Sequence, residues 1–155
     1  MTTINTFELS KYLGLWYQFA STPNNFEPSD SYNTTAEYTL DPITNKVLVY
    51  NKLMSNGKVK DIRGELIPTD NNTEFQVKLY NVFLWFSVKA PYNILAVLAD
   101  ANGEYTSAIV GGKKYIFILT REKHIDCTTQ AKLKYLIKQL GYNWDSLIFS
   151  PQICE

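Results

Sequence analysis

Residues 12–17 read Tyr-Leu-Gly-Leu-Trp-Tyr, and this short stretch decides the fold of the chain. Gly14 starts an alternating strand pattern that runs to position 21, and Trp16 places a large aromatic ring two residues later. Far downstream, Arg121 directly follows the last long apolar run, residues 115–120. We expect Gly14, Trp16 and Arg121 to meet and to close one end of a β-barrel, in a structural role.

Composition and charge narrow the class of protein. A length of 155 residues fits one domain with its own core, so residues 1–155 are expected to form a single unit. The formal net charge is zero and the pI is about 6.6, so the chain lacks the excess of positive charge by which proteins attract nucleic acids. Aromatic residues make up 14%, including 11 Tyr and 8 Phe, and this favours strands. No run of roughly 18 apolar residues is present to span a membrane.

The middle of the chain consists of short strand patterns separated by turn residues. The predicted strands cover residues 14–21, 34–40, 47–52, 59–67, 75–79, 94–99, 105–110 and 115–120. The dipeptide Asn56-Gly57 is typical of a two-residue hairpin between the third and fourth of them. Eight antiparallel strands can close into an up-and-down barrel without edges, whose bore is just wide enough for one small ligand. We therefore expect an all-β barrel over about residues 12–121.

Two segments lack this pattern of short strands separated by turns. Residues 21–31 are rich in turn and breaker residues and predict a large loop with one apolar residue, Phe26. After the last strand, an apolar stripe at helical spacing lies between Thr128 and Thr129, which fit an N-cap, and Gly141, which fits a helix end. The stripe consists of Ala131, Leu133, Leu136, Ile137 and Leu140. We expect an α-helix at about 128–140, packed outside the barrel, and a short ninth strand at about 145–150.

Four motifs together resemble the lipocalin family. They are the Gly-x-Trp stretch at 12–17, Asn51-Lys52, Tyr92-Asn93 and the arginine-terminated strand at 115–121. Within the family, the chain is similar to the group of bacterial outer-membrane lipocalins, apolipoprotein D and plant temperature-induced lipocalins. The resemblance covers about residues 8–150 and implies a closed barrel, or calyx, that holds a small hydrophobic ligand. Arg121 would lie across the indole of Trp16, a cation–π contact worth roughly 0.5–2 kcal/mol.

One motif departs from the family pattern. The Thr-Asp-Tyr turn between the sixth and seventh strands is replaced by the longer run at residues 99–105, in which Asp100 and Tyr105 are kept. Because the turn is longer here, we do not extend the family's receptor-docking role to it.

Strand parity relative to Trp16 predicts which side chains line the barrel interior. Gln18 and Ala20 share the face of Trp16, and the inward set of every other strand follows by alternation. The predicted ligand-binding residues are Ala36, Tyr38, Val49, Asn51, Ile62, Leu66, Phe75, Val77, Leu79, Ile94, Ala96, Tyr115, Phe117 and Leu119. The set is mostly apolar and contains no charged residue. It suits a long aliphatic ligand with polar groups near the mouth, and the alternative is that these side chains simply fill the barrel.

Residues 82–88 form an uncharged segment between the fifth and sixth strands. The segment contains four large apolar residues in a row, Phe83, Leu84, Trp85 and Phe86. Two interpretations are open. The segment extends the two strands and packs under the long loop, or, as the mouth loops of the resembling group imply, it is an exposed apolar lip that contacts a membrane.

Residues for catalysis or metal binding are scarce. His124 is the single histidine, so no histidine cluster can bind a metal, and no nucleophile motif accompanies it. Lipocalins that act as prostaglandin isomerases use a cysteine in the bore, whereas Cys127 and Cys154 lie before the helix and beyond the ninth strand. We expect no enzyme activity, no cofactor and no metal. The two cysteines either form a disulfide, worth about 3 kcal/mol, or remain free.

The sequence therefore predicts a monomeric or dimeric lipocalin that carries a fatty acid, a lysophospholipid or another long apolar ligand, with exchange at a membrane surface. One alternative is a lipid- or isoprenoid-modifying enzyme on the same barrel. Another is a fatty-acid-binding-protein-like intracellular carrier, in which a helical pair would stand where Pro23 and Pro28 lie here. Residues 1–10 lack the features of a secretory signal. We expect either a leaderless protein peripheral to a membrane or a mature secreted or envelope protein whose leader has been removed.

Overall fold

The structure, a computed structural model, describes residues 6–24, 27–80 and 87–153, and of residues 87 and 88 the backbone only. The strands are β1 (Gly14–Ser21), β2 (Tyr32–Leu40), β3 (Val47–Ser55), β4 (Lys58–Pro68), β5 (Glu74–Tyr80), β6 (Ser87–Ala99), β7 (Tyr105–Gly111), β8 (Ile116–Thr120) and β9 (Ile148–Phe149). The helices are α1 (Leu9–Tyr12) and α2 (Cys127–Gln139), and a 3₁₀ helix (Trp144–Ser146) precedes β9.

The first eight strands form a closed antiparallel barrel. From β2 to β8 each strand pairs with the next along the chain, and β1 pairs with both β2 and β8, which closes the sheet. Strand β9 pairs with β1 on the outside. The predicted fold class is therefore confirmed. Neither helix in the described part of the chain is long and apolar enough to cross a membrane.

The hairpin between β3 and β4 has the predicted two-residue turn. Asn56 and Gly57 both have positive φ angles, 53° and 71°, as this class of turn requires. Ser55 pairs with Lys58 directly beside it, so the turn sets the register of the whole β3–β4 ladder.

Strand β6 is longer than the strand predicted at 94–99, because it begins at Ser87 and includes a proline. Pro91 lies opposite Gln76 of β5, whereas pairing with β7 begins only at Asn93. A proline has no N–H for a ladder hydrogen bond and is tolerated where one side of a strand lacks a neighbour. Pro91 has no β7 neighbour, so the strand continues through a residue that interrupts the sequence pattern.

Two β-bulges reverse the alternation of side chains and make the sequence prediction wrong at two positions. The register shifts in β1 between Gln18 and Ala20, and in β6 between Ile94 and Ala96. A bulge adds one residue to a strand, so the side chains beyond it face the opposite way. Ala20 was expected on the inward face of Trp16 and Ala96 in the cavity wall, but both are buried in the core outside the barrel.

Two hydrophobic cores lie on opposite sides of the sheet. The inner core fills the end of the barrel that contains Trp16. The outer core lies between the barrel and α2. Of the predicted helical stripe, Leu133 and Ile137 are fully buried in the outer core, Leu136 and Leu140 are partly buried, and Ala131 is exposed.

Helix α2 begins one residue earlier than predicted, and its N-cap is Asp126. The Asp126 carboxylate accepts a hydrogen bond of 2.7 Å from the backbone N–H of Thr129. Thr128 and Thr129, the predicted caps, therefore lie inside the first turn. The predicted end is correct, because Gly141 has a φ of 88° that stops the helix.

Gly14, Trp16 and Arg121 meet at one end of the barrel, called the closed end below. The Arg121 guanidinium lies 3.7 Å from the centre of the Trp16 ring. It also donates hydrogen bonds of 2.8, 2.9 and 2.8 Å to three backbone carbonyls within residues 11–15. Gly14 has a φ of 106°, and a Cβ atom there would lie 3.3 Å from an Arg121 nitrogen. A side chain at position 14 would therefore strain the backbone and crowd the arginine.

The segment before β1 covers the closed end. The Phe7 ring stacks on Tyr105 with centroids 5.9 Å apart and meets Phe75 edge-on at 6.4 Å. The backbone N–H of Glu8 donates to the Tyr105 hydroxyl at 2.9 Å. Tyr105, a residue kept from the Thr-Asp-Tyr motif, is thus buried in packing. Asp100, the other kept residue, accepts hydrogen bonds from two backbone N–H groups of the longer turn.

Strands β1 and β2 pair only near the closed end, over residues 14–17 and 35–38. Beyond that point, the side chain of Gln152 bridges the two strands. Its amide donates to the backbone carbonyl of Gln18 at 2.9 Å and to that of Thr34 at 3.0 Å. A side chain from the segment after β9 thus completes the barrel wall where direct pairing stops. We call this position the β1–β2 seam.

Trp16 and Leu15 form a matched pair for testing the closed end, because Trp16 is fully buried and Leu15 is 41% exposed. We expect Trp16→Ala to lower the free energy of unfolding by ~3–5 kcal/mol, since truncating a buried aromatic ring leaves a cavity. Leu15→Ala should cost less than about 1 kcal/mol. Urea unfolding measures both values. Equal losses at the two positions would contradict the inward orientation of Trp16.

Candidate functional site

The barrel encloses a cavity of about 330 Å³ between the inner core and the open end, which is the end opposite Arg121 and Trp16. This volume lies within the range of about 300–1,000 Å³ that is usual for ligand pockets. The apolar strand residues that line the cavity are Ala36, Val49, Leu53, Ile62, Val77, Leu79, Ala90, Val110, Phe117 and Leu119. They come from the inward faces of β2 to β8, so the cavity is the bore of the barrel.

Most of the residues predicted from strand parity lie in the cavity wall. These are Ala36, Tyr38, Val49, Asn51, Ile62, Val77, Leu79, Tyr115, Phe117 and Leu119. Leu66, Phe75 and Ile94 belong to the inner core near the closed end and do not line the cavity. Ala96 lies outside the barrel, as described above. Parity thus predicts which way a side chain faces, but not its height along the barrel.

Three tyrosine side chains form the floor of the cavity. The Tyr92 hydroxyl is hydrogen-bonded to that of Tyr12 and, at 2.6 Å, to that of Tyr38. Tyr38 and Tyr92 line the cavity, and Tyr12 is fully buried behind them, with its ring 5.3 Å from that of Trp16. Burial raises the pKa of all three phenols. The floor is therefore polar but uncharged at physiological pH.

Gln18 and Glu27 add a hydrogen-bonded pair to the cavity wall. The Gln18 amide donates to the Glu27 carboxylate at 3.2 Å and to the Ser150 hydroxyl at 2.8 Å. Burial raises the pKa of Glu27, while hydrogen bonds from Gln18 and Ser31 oppose the shift. Gln18 can be predicted to face the cavity from the sequence, because it shares the face of Trp16. Glu27 cannot, because it lies in a loop, where no alternation of side chains assigns a direction.

The cavity lining near the β3–β4 hairpin includes charged residues, whereas the predicted set contained none. They are Lys52, Lys60 and Asp61. By the β3–β4 register, Lys60 faces the bore opposite Leu53, whereas Lys52 and Asp61 pair with each other on the outer face, where the Asp61 carboxylate accepts a hydrogen bond of 2.9 Å from the Tyr50 hydroxyl. The hairpin lies at the open end, because β3 runs away from the closed end toward the Asn56-Gly57 turn. The parity set ended at positions 51 and 62 on these strands, so it described the deep cavity and omitted the mouth.

Two polar atoms in the cavity wall have no hydrogen-bond partner among the residues that the structure describes. They are Oγ1 of Thr34 and Oδ1 of Asn51. Both residues line the cavity, and Thr34 is only 7% exposed. Sequence reasoning identified Asn51 by parity but did not include Thr34, which lies on the same face as Ala36, at the first position of the predicted second strand.

The remaining predicted residues give no second site. Residues 83–86, Phe26 and Cys154 lie outside the described part of the chain. Cys127 is exposed, and its pairing with Cys154 stays a prediction. His124 is exposed. Within residues 6–24, 27–80 and 87–153, no group of three or more His, Cys, Asp or Glu side chains could hold a metal ion.

Known proteins share this arrangement of barrel, cavity and helix. A family model described as a lipocalin-like domain matches residues 7–152. The chain belongs to the lipocalin family. Lipocalins bind small hydrophobic ligands, and they are generally binding and transport proteins.

Two relatives of this lipocalin belong to the group predicted from the sequence. Temperature-induced lipocalin-1 of Arabidopsis thaliana is 30% identical over 159 residues, covering 98% of this chain and 83% of the relative. Apolipoprotein D of Bos taurus is 38% identical over 151 residues, covering 95% of this chain and 78% of the relative. Among solved structures, insecticyanin of the tobacco hornworm Manduca sexta aligns with a TM-score of 0.78 at 23% identity, covering 97% of this lipocalin and 83% of that chain. The likeness to insecticyanin supports the fold alone.

The raised pKa of Glu27 predicts how Glu27→Gln changes stability with pH. An acid whose pKa is raised by folding supplies stability below its ordinary pKa, and this stability is lost as the pH rises through the raised value. Glu27→Gln carries no charge at any pH. It should therefore melt at a higher temperature than the parent at about pH 7, and at the same temperature at about pH 3.

Thermal melts at the two pH values measure this effect, with Glu74→Gln as the control. Glu74 is exposed in β5, so Glu74→Gln should have the same melting temperature as the parent at both pH values. A lower melting temperature for Glu27→Gln at neutral pH would mean that the hydrogen bond from Gln18 outweighs the burial of the charge.

Proposed function

We propose that this lipocalin binds and transports a small hydrophobic ligand with one polar end, a fatty acid or a lysophospholipid, inside the barrel. The observation that carries the proposal is the change of polarity along the cavity. Most of the wall is aliphatic, whereas the charged Lys60 faces the bore beside the hairpin at the open end, with Lys52 and Asp61 on the adjoining outer face. A lipid whose acyl chain lies along the apolar wall and whose polar headgroup lies at the mouth matches the polarity of both regions.

The floor supports an orientation with the apolar end inward. The phenols of Tyr38 and Tyr92 are uncharged, and their hydroxyls already hydrogen-bond to one another. At the closed end, Arg121 is engaged with Trp16 and with three backbone carbonyls, and Lys11 is paired with Glu8 at 2.8 Å. A carboxylate at the floor would therefore lack a free cationic partner, whereas a methyl end needs none.

The two alternative functions receive less support. In a fatty-acid-binding-protein-like carrier a helical pair follows the first strand, whereas α2 here follows β8. A lipid-modifying enzyme would need titratable groups that act on each other in the cavity. Glu27 is instead bonded to the neutral amide of Gln18, and burial keeps the floor phenols uncharged.

A bulky residue in the middle of the cavity tests the proposed ligand position. Val77 lines the cavity, and its neighbour Gln76 on β5 is exposed. We expect Val77→Trp to weaken binding of a fluorescent fatty-acid analogue at least about tenfold, because the ring occupies volume that the chain needs. Gln76→Trp should bind like the parent.

Fluorescence titration measures these affinities, and far-UV circular dichroism checks that both variants fold. Displacement by oleic acid and by lysophosphatidylcholine compares the two ligand classes, and native mass spectrometry identifies lipids that co-purify with the parent. Unchanged binding by a folded Val77→Trp variant would contradict a ligand inside the barrel.

We further propose that the ligand is exchanged at a membrane surface, on the basis of the uncharged sequence at 82–88. Trp85→Ser should reduce partitioning onto phosphatidylcholine vesicles severalfold, because tryptophan favours the membrane interface. Tyr135→Ser is the control, since Tyr135 is 51% exposed on α2. Vesicle co-sedimentation measures the bound fraction. Equal partitioning of the parent and both variants would argue against membrane contact by this segment.

A further inference from the structure

The cavity wall has a further polar position, distinct from the tyrosine floor, the Gln18–Glu27 pair and the open end. It consists of Thr34 and Asn51, whose Oγ1 and Oδ1 atoms are buried without a partner in the described part of the chain. Buried polar atoms in proteins almost always have a hydrogen-bond partner, and an unpaired one lowers stability or binding. Both residues line the ligand cavity, so the missing partner can come from what the cavity holds.

The two side chains converge on one region of the wall. Asn51 pairs with Ala36 across β2 and β3, and Thr34, buried like Ala36, lies two residues before it, within the bulge where the β2–β3 register shifts between Tyr32 and Thr35. At the spacing of about 7–8 Å that diagonal neighbours have in a regular ladder, one ligand hydroxyl reaches both side chains. The backbone of Thr34 is held in place, because its carbonyl accepts from Gln152 at 3.0 Å.

None of the side chains in the described part of the chain hydrogen-bonds to either atom. Asn51 lies between Ala36 and Ile62 on the adjacent strands, and both are apolar. Across the β1–β2 seam from Thr34, the amide of Gln18 donates to Glu27 and Ser150. The wall therefore presents one unpaired hydroxyl and one unpaired amide oxygen to the cavity.

We propose that Thr34 and Asn51 form a subsite for a hydroxyl group in the body of the ligand, so that this lipocalin selects hydroxylated lipid chains over unsubstituted ones. The inference rests on the proposed function, namely that the cavity binds a lipid. A hydroxyl matches the site because it accepts from the Thr34 O–H and donates to Asn51 Oδ1. A carbonyl or carboxylate oxygen only accepts, and it would leave Asn51 Oδ1 unpaired.

The selectivity comes from the cost of leaving these atoms unpaired. An unsubstituted chain that passes Thr34 and Asn51 removes water from both and returns no hydrogen bond. A site built to hydrogen-bond a ligand hydroxyl discriminates strongly against the analogue that lacks it, for this reason. Removing the two polar groups should therefore improve the binding of an unsubstituted chain, which distinguishes a specificity site from a merely structural one.

The experiment compares octadecanoic acid with the positional series of its monohydroxy derivatives. Each acid displaces a fluorescent fatty-acid analogue from the parent and from the Thr34→Val/Asn51→Leu double variant, which keeps the shape of the wall and removes its polar atoms. Thr39→Val is the control, because Thr39 is exposed on the same strand.

In the parent, we expect at least one hydroxylated isomer to bind about tenfold or more tightly than octadecanoic acid. The double variant should lose this preference and bind octadecanoic acid more tightly than the parent does. Thr39→Val should match the parent for every acid. The preference of the parent among the isomers requires no variant, so it tests the subsite even where the double variant does not fold.

Two other outcomes separate the subsite from the proposed function. If the parent and the double variant bind octadecanoic acid and all its isomers alike, the subsite is overturned and lipid binding stands. If no acid displaces the probe from the parent, lipid binding is overturned together with the subsite.

Discussion

The structure depends on the contact that Arg121 makes at the closed end. One guanidinium stacks on the Trp16 indole and satisfies three backbone carbonyls, those of Lys11 at the end of α1, of Leu13 and of Leu15 at the start of β1. A planar group with five donors can do both at once, whereas the point charge of a lysine cannot. Gly14 leaves room for it. The contact holds Trp16 inward, and because side chains alternate along paired strands, the direction of Trp16 determines the inner face of the whole barrel.

The same contact leads to the ligand cavity through Tyr12. The Trp16 indole N–H donates to the Tyr12 backbone carbonyl at 2.7 Å, and the Tyr12 hydroxyl joins the cluster with Tyr38 and Tyr92 that forms the cavity floor. The tryptophan signature of lipocalins is thus separated from the cavity by a layer of phenols. Polarity then varies along the bore, from an uncharged polar floor, through an aliphatic wall interrupted by Gln18, Glu27, Thr34 and Asn51, to Lys60 at the open end.

Much of the fold could be predicted from the sequence, because alternation, turn residues and the Gly-x-Trp and arginine motifs are local signals. The parts that could not be predicted depend on single inserted residues or on loops. A bulge after Gln18 turns Ala20 outward, and another after Ile94 does the same to Ala96, without any composition that marks a bulge. Glu27 reaches the cavity from a loop, where no period assigns a direction. Parity also carries no information on where along the bore the packed core gives way to open space.

The bridge that Gln152 makes across the β1–β2 seam has a consequence for the order of folding. Its two hydrogen bonds join residues 134 and 118 positions apart in the chain, whereas most strand pairs of the barrel join neighbours in sequence. Closing so long a loop costs more entropy than forming a hairpin, so contacts of this kind form late. The β1–β2 seam is therefore expected to be the last part of the barrel wall to form and one of the first to open. Each local opening there would give the bore a side entrance while Arg121 and Trp16 stay in contact.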